Sequence, residues 1–178
     1  MKRQIVLVLT GFLLGAGVFF GLGHSLVQNP DPFGGHVMTQ VGIVVDDVEQ
    51  AARAYAGVLG MEVPAVSITD PYEKAHTRYE GASTGARAKL AFFRLENITI
   101  ELIEPVDGPS TWQEFLQKEG PGVHHIAFHV DGMDQNIAYL QQYGGRLVQR
   151  GDFTGGSYAY VDATDNLAVI LELLTSTD

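Results

Sequence analysis

The chain has 178 residues, of which 46% are hydrophobic and 18% are charged, a composition that indicates a globular protein and excludes general disorder. The 11 basic and 21 acidic residues give a net charge of −10, so we expect no nucleic-acid partner. The absence of cysteine excludes disulfides, thiolate metal sites and cysteine nucleophiles.

The N-terminal segment has the pattern of a membrane anchor. Lys2 and Arg3 precede an uncharged apolar stretch, Ile5 to Gly23, that is long enough to cross a bilayer as a helix. Basic residues before such a helix orient the following domain to the periplasmic or outer side. We therefore predict an anchor at residues 1–26 and a linker at 27–36. The alternative is a cleaved secretory signal, after which the domain would be exported.

The rest of the chain contains an internal repeat. Thr39 to Val63 align without gaps on His124 to Val148, and Ile98 to Ile103 align on Val169 to Leu174. Each copy begins with an apolar strand-like run, continues with apolar residues at helical spacing, and ends with strand-like runs joined by turns. Each copy is therefore predicted to fold as a βαβββ module.

Polar and glycine residues predict where the two module helices begin and end. Asp46 and Asp131 follow the first strands and are expected to be N-caps. Gly60 and Gly145 follow the helical stretches and are expected to terminate them.

The predicted fold class is α+β, with the two modules paired into one cleft-shaped mixed β-sheet and the helices outside. Module one covers residues 37–105, a linking helix lies within 106–119, and module two covers 120–174. An insertion in module one, from Ser67 to Ala86, is polar and contains glycine, so we expect a mobile loop there.

Two repeated positions are chemically unusual. Gln40 and His125 occupy equivalent places in the first strands, and Glu101 and Glu172 occupy equivalent places in apolar last strands. A buried carboxylate needs a cation or hydrogen-bond donors. If the modules pair by a twofold, the four side chains face one cleft and suit a divalent ion such as Zn, Ni, Co, Mn or Fe. The alternative is a solvated strand face with a hydrogen-bonded core histidine.

Other residues are candidates for the cleft wall. Strand alternation places His129 on the face of His125, too far along for the same metal ion. Arg94 could hold an anionic substrate group, and Tyr158 could line the pocket. His124 precedes His125, so alternation predicts that it points to the opposite face.

The segments GPGVHHIAFHVD (Gly120 to Asp131) and IELIEP (Ile100 to Pro105) resemble the vicinal oxygen chelate superfamily. The resemblance covers residues 37–174, and these segments are most similar to methylmalonyl-CoA epimerases. It implies the same four metal ligands, a set similar to that of zinc-type glyoxalase I. Epimerases usually have histidine where this chain has Gln40, which also counts against dioxygenase chemistry. The epimerase general base would lie in the insertion, where Glu80 is the nearest candidate.

The expected function is that of a metal-dependent lyase or isomerase, with Glu172 or Glu101 as the catalytic residue that moves a proton next to a carbonyl. One alternative is a membrane-tethered, non-catalytic module that binds a small molecule, as bleomycin-resistance relatives do. A second is a vestigial cleft on an interaction domain. The expected partners are a small-molecule substrate or ligand and the membrane, and the resemblance also allows a homodimer.

Overall fold

The structure is a computed structural model that describes Phe33 and residues 37–177. The predicted anchor at residues 1–26 lies outside the described residues, as does the linker at 27–36 apart from Phe33. Within the described part of the chain, no helix combines the length and apolar character that crossing a membrane requires.

The order of elements follows the repeat. Module one contains β1 (Met38–Val44), α1 (Val48–Leu59), β2 (Ser67–Ile68), α2 (Tyr72–Ala75), β3 (Arg78–Tyr79), β4 (Ala82–Ser83), β5 (Arg87–Arg94) and β6 (Thr99–Asp107). The linking helix is α3 (Thr111–Glu119). Module two contains β7 (Gly122–His129), α4 (Met133–Gln141), β8 (Arg146–Phe153), β9 (Gly156–Asp162), α5 (Thr164–Leu167) and β10 (Ile170–Ser176).

All ten strands join one curled mixed sheet, in the order β2-β5-β6-β1-β7-β10-β9-β8-β3-β4. The first strands of the modules, β1 and β7, pair antiparallel at the centre. Each is flanked on its other side by the last strand of its own module, β6 or β10, in parallel. The prediction of one mixed, cleft-shaped sheet is confirmed.

The pairing register places a pseudo-twofold axis between β1 and β7. Val41 lies opposite Ile126, while Gln40 lies opposite Ala127 and Gly42 opposite His125. A twofold axis at the Val41–Ile126 pair relates Gln40 to His125 and Gly42 to Ala127, which are the residue pairs that the sequence alignment matched, so that alignment is confirmed. It also holds for the parallel pairs, in which Glu101 lies beside Gly42 and Glu172 beside Ala127.

Both central strands contain a β-bulge at equivalent positions. Between β1 and β7 the register shifts once around Thr39 and once around His124, so each of these residues is the extra residue of its strand. A bulge interrupts the alternation of side chains along a strand. The expectation that His124 and His125 point to opposite faces is therefore wrong, and their rings lie in contact.

The helix ends differ slightly from the predictions. The N-cap of α1 is Asp47 rather than Asp46, and its carboxylate accepts a hydrogen bond from the backbone N–H of Gln50 at 2.8 Å. The N-cap of α4 is Gly132 rather than Asp131, with no side-chain cap. Gly60 ends α1 in the left-handed region as expected, at φ 66°.

The insertion of module one is ordered by strand pairing, unlike the loop expected there. Its strand β2 pairs with β5 at one edge of the sheet, and its strand β3 pairs with β8 at the other edge. Residues 67–83 therefore cross the cleft from edge to edge, and we call this segment the strap. The long strand β8 of module two has only the two-residue β2 as its counterpart in module one.

The core of the described part of the chain consists of three apolar clusters. Helix α1 covers the outer face of module one around Phe93 and Leu102, and α4 covers the outer face of module two around Val161. The third cluster joins Trp112 of α3 to Tyr160 on the inner side of the curl. The prediction of helices outside the sheet therefore holds for α1 and α4, whereas α3 closes one end of the concave side.

Candidate functional site

The concave face encloses a cavity of about 600 Å³ between the modules and the strap. Its lining includes Gln40 from β1, Glu101 from β6 and Glu172 from β10. His125 lies directly behind them with no exposed surface. The four residues predicted from the repeat are thus brought to one place, the cavity floor.

The polar atoms of these four side chains converge. The imidazole Nε2 of His125 lies 3.1 Å from a Glu172 oxygen and 3.5 Å from a Glu101 oxygen. The amide of Gln40 donates to Glu101 at 2.7 Å and to Glu172 at 3.2 Å. One ligand atom from each of Glu101, His125 and Glu172 lies within 4.8 Å of the others.

Burial and mutual charge shape the electrostatics of this group. Glu101 and Glu172 are buried, with 6% and 4% of their residue surface exposed. Burial raises the pKa of Glu101, because a carboxylate loses hydration there. Burial alone would lower the pKa of His125, but the charge of Glu172 and hydrogen bonds to both carboxylates outweigh it and raise the pKa to about 9.

Small residues make room for the group. Gly42 of β1 lies between Glu101 and His125 in the sheet, and Ala127 of β7 lies between Gln40 and Glu172. A Cβ at position 42 would overlap the His125 ring. The imidazole therefore occupies space beside the neighbouring strand that only glycine leaves open.

His124 is a member of the site that the strand pattern missed. Its Nδ1 lies 3.0 Å from Nδ1 of His125, and its Nε2 lies 3.1 Å from the hydroxyl of Thr111. Burial, together with the charge of His125, lowers the pKa of His124 to about 3. Only the bulge brings the two rings to one side, and the sequence carries no signal of that bulge.

Aromatic side chains form much of the wall. The Tyr160 ring lies 4.9 Å from the His125 ring, and its hydroxyl accepts a hydrogen bond from the Trp112 indole at 3.1 Å. Tyr158 stacks on Trp112. Phe92, from β5 of module one, lines the opposite wall of the cavity. Burial raises the pKa of Tyr158 to about 12, so its hydroxyl stays protonated. Among these residues the sequence predicted Tyr158.

Arg94 and His129 line the cavity but are exposed and are not members of the ligand group. A contact of Arg94 and His129 with substrate therefore stays a prediction. Glu80 does not line the cavity, because its carboxylate pairs with Arg146 at 2.6 Å on the exterior. The structure therefore gives Glu80 no access to a substrate on the cavity floor, contrary to the expectation of a base in the insertion.

Comparisons with known proteins agree with this architecture. A family described as the Glyoxalase/Bleomycin resistance protein/Dioxygenase superfamily matches residues 39–161. An ethylmalonyl-CoA/methylmalonyl-CoA epimerase of Cereibacter sphaeroides is 30% identical over 116 residues, 65% of this chain and 76% of the relative. The protein YqjC of Bacillus subtilis is 25% identical over 139 residues, 76% of this chain and 89% of the relative. The crystal structure of methylmalonyl-CoA epimerase from Mycobacterium tuberculosis superposes with a TM-score of 0.57 at 26% identity, covering 80% of this chain and 89% of that one.

Proposed function

The chain belongs to the Glyoxalase/Bleomycin resistance protein/Dioxygenase superfamily, and from that membership we propose that it is a metal-dependent lyase or isomerase. It would move a proton at the carbon next to a carbonyl group of a small substrate. The observation that carries the proposal is the convergence of Glu101, His125 and Glu172, with ligand atoms within 4.8 Å, on the floor of a cavity.

The donor set fits a divalent ion. Two carboxylates, one imidazole and the amide of Gln40 offer three oxygens and one nitrogen, which suits Zn, Ni, Co, Mn or Fe. Among the described residues, His125 is the one basic side chain that pairs with the two buried carboxylates. With both carboxylates ionised the floor would carry excess negative charge, which a dication would offset. As a ligand, Gln40 would offer Oε1, a half-turn of the amide from its present hydrogen bonds.

The two carboxylates are arranged for proton transfer. A divalent ion held on the floor would polarise the carbonyl oxygen and stabilise the negative charge that develops on it. Glu101 and Glu172 enter the cavity from opposite modules, so they approach a substrate from different sides. We expect Glu172, or Glu101 by the pseudo-twofold, to remove the proton, and the other carboxylate to hold or return one.

The relatives support isomerase chemistry in general terms. The Cereibacter sphaeroides relative is named as an epimerase of acyl-CoA thioesters, and the Actinomyces relative, 29% identical over 106 residues, as an epimerase of 2-epi-5-epi-valiolone. These names share a reaction type but differ in substrate. We extend the reaction type to this chain and propose a carbonyl compound with an acidic neighbouring C–H as substrate, with its anionic group held by Arg94 and His129.

The location of the domain bears on the substrate. Whether retained as an anchor or cleaved as a signal, the predicted N-terminal segment would place the domain outside the cytoplasm, where coenzyme A thioesters and glutathione are scarce. We therefore favour a substrate that carries neither carrier group.

Proton exchange tests the proposed function directly. The protein, loaded in turn with Zn²⁺, Co²⁺, Ni²⁺ or Mn²⁺, is incubated in D₂O with a panel of 2-oxo, 2-hydroxycarbonyl and acyl-thioester compounds, and deuterium uptake is followed by NMR. We expect uptake at the carbon next to the carbonyl, reduced at least about 100-fold in Glu172→Gln or Glu101→Gln, since general acid–base groups contribute on that order. No uptake with any compound and ion, or uptake in both variants equal to that of the wild type, contradicts the proposal.

A binding role without catalysis is the second candidate. The cavity is walled by Phe92, Trp112, Tyr158 and Tyr160, and such aromatic walls suit the sequestration of an unsaturated small molecule. This role predicts that a ligand raises the melting temperature equally with and without a chelator. A stabilisation that disappears when the metal is removed favours the enzyme instead.

A further inference from the structure

We propose that His124 is a positioning residue for the candidate centre. It fixes the orientation of the His125 ring and determines which nitrogen of that ring carries the proton. This role depends on the proposed function in one respect, namely that His125 binds a divalent ion. The feature that carries it is the β-bulge of β7, which places two consecutive histidine rings on one side of the strand.

The bulge is a property of the backbone and not of the rings. Opposite β1, His125 pairs with Gly42 and Val123 pairs with Ile43, which leaves His124 as the unpaired extra residue. Because the alternation is broken there, Nδ1 of His124 faces Nδ1 of His125 at 3.0 Å. Bulges next to functional sites commonly re-aim a side chain in this way.

The hydrogen bonds allow one arrangement of protons when His125 binds an ion. The Nε2 atom of His125 faces the carboxylates, so it supplies the lone pair and Nδ1 carries the proton. That proton is donated to Nδ1 of His124, which must then be unprotonated. The proton of His124 consequently lies on Nε2 and is donated to the Thr111 hydroxyl at 3.1 Å.

The surroundings hold His124 in place. Its side chain is almost wholly buried, with Phe115 and Tyr160 each packed edge-on at 5.3 Å between ring centroids. Thr111 is the first residue of α3, and its backbone N–H donates to the amide oxygen of Gln149 at 2.9 Å. His124 therefore connects the candidate ligand to a helix that is itself anchored on module two. Partners of this kind fix the tautomer and ring orientation of metal-binding histidines.

The equivalent bulge in module one lacks this connection. Thr39 takes the place of His124, and its hydroxyl donates to the backbone oxygen of Ala127 at 3.2 Å rather than to Gln40. Gln40 has an amide in place of an imidazole, so there is no ring nitrogen whose proton a neighbour could fix. We therefore expect the positioning role in module two alone.

Two substitutions of His124 separate positioning from packing. Asparagine can place an oxygen close to the present position of Nδ1 and accept from His125, whereas leucine fills the space without an acceptor. We expect His124→Leu to weaken Zn²⁺ and Co²⁺ binding by about 10- to 100-fold, the usual effect of losing such a partner. His124→Asn should recover most of this loss. Affinities are measured by competition with a chromophoric chelator, after thermal unfolding shows that each variant is folded.

A spectroscopic readout, independent of activity, follows the proton itself. In ¹⁵N-labelled protein, the Nδ1–H resonance of His125 should exchange slowly with water in the wild type and in His124→Asn, and rapidly in His124→Leu. Thr111→Val, which is nearly isosteric, removes the acceptor for His124 Nε2 and should shift this resonance even if His124→Leu fails to fold.

The results that overturn the role of His124 differ from those that overturn the proposed function. A wild-type protein that takes up no ion contradicts the function, and the resonance in the metal-free protein then still decides the role of His124. Wild-type affinity in His124→Leu, equal weakening in both His124 variants, or a resonance unchanged in Thr111→Val would show that His124 only packs.

Discussion

Module one and module two share a fold but bring different chemistry to the cavity floor. Module two supplies His125, fully buried, and Glu172, which is 4% exposed. Module one supplies Glu101, which is also buried, and Gln40, whose amide is only half-buried and donates to the carboxylates of both modules. The duplicated backbone thus places equivalent positions together without requiring equivalent side chains.

The surroundings of the two modules differ in the same direction. In module two, the ring of His125 lies against His124 and Tyr160, and α3 packs behind them. Module one contributes instead the strap, which crosses the cleft to the far edge of the sheet. The difference indicates that module two packs its candidate ligand, His125, more closely than module one packs Gln40, and that the strap of module one borders the entrance to the cavity.

The largest expected effect comes from removing the imidazole of module two. His125→Ala leaves two buried carboxylates without their basic partner, which typically costs about 3–5 kcal/mol. It should also lower the affinity for Zn²⁺ by more than about 100-fold, since the loss of a ligand should weaken binding more than the loss of the hydrogen-bond partner His124. Gln40→Ala, the matched change in module one, should cost less by both measures. Urea unfolding and chelator competition check this, and equal losses in the two variants would remove the asymmetry.

The second prediction concerns the two small residues of the central strands. Gly42→Ala places a methyl group where the His125 ring lies, so we expect a loss of about 1–3 kcal/mol, typical of overpacking, together with a loss of metal binding. The control is Ala127→Gly at the equivalent place in module two, which should cost at most about 1 kcal/mol by weakening a strand. Metal binding that survives Gly42→Ala would show that the ring can lie elsewhere.

These residues also show what the sequence could predict. The repeat identified Gln40, Glu101, His125 and Glu172, because each copy has its first strand, helix and last strand in the same order, and this order brings equivalent residues to equivalent points of the sheet. It could not predict the bulges, since one unpaired residue leaves no mark on an apolar run. That is why His124 was assigned to the wrong face.

The strap was unpredictable for a different reason. Its strands β2, β3 and β4 have two residues each, too short for alternation to be visible. Their pairing depends on the edges that β5 and β8 present after the sheet has curled. Such pairing is a property of the tertiary fold, so a polar, glycine-containing stretch appeared to be a loop.

The third prediction concerns the ionisation of His125, the imidazole that module two contributes to the candidate centre. The pKa of His125 is raised to about 9 in the metal-free domain, so the imidazole is protonated at neutral pH and an ion must displace that proton. The apparent affinity for Zn²⁺ should therefore rise by up to about tenfold per pH unit between pH 7 and 9, and then level off. Calorimetry in buffers of different ionisation enthalpy should show about one proton released near pH 7. Affinity independent of pH would mean that ion binding displaces no proton from His125.

The smallest effect is expected at the helix starts. Asp47 caps α1 of module one through its side chain, whereas Gly132 begins α4 of module two without such a bond. Asp47→Ala should lower the free energy of unfolding by about 1 kcal/mol, the usual value of an N-cap, and leave metal affinity unchanged. A change in metal affinity would show that α1 positions the centre, contrary to the division of roles between the modules.

The metal content and coordination of the purified protein test the central claim most directly. After loading and gel filtration, we expect close to one divalent ion per chain by mass spectrometry, with an absorption-edge spectrum that fits one nitrogen and mainly oxygen donors from the protein. The same treatment of His125→Ala should leave almost none. A wild-type protein that retains no ion, or a His125→Ala variant that retains as much as the wild type, would contradict the assignment of Gln40, Glu101, His125 and Glu172 as a metal centre.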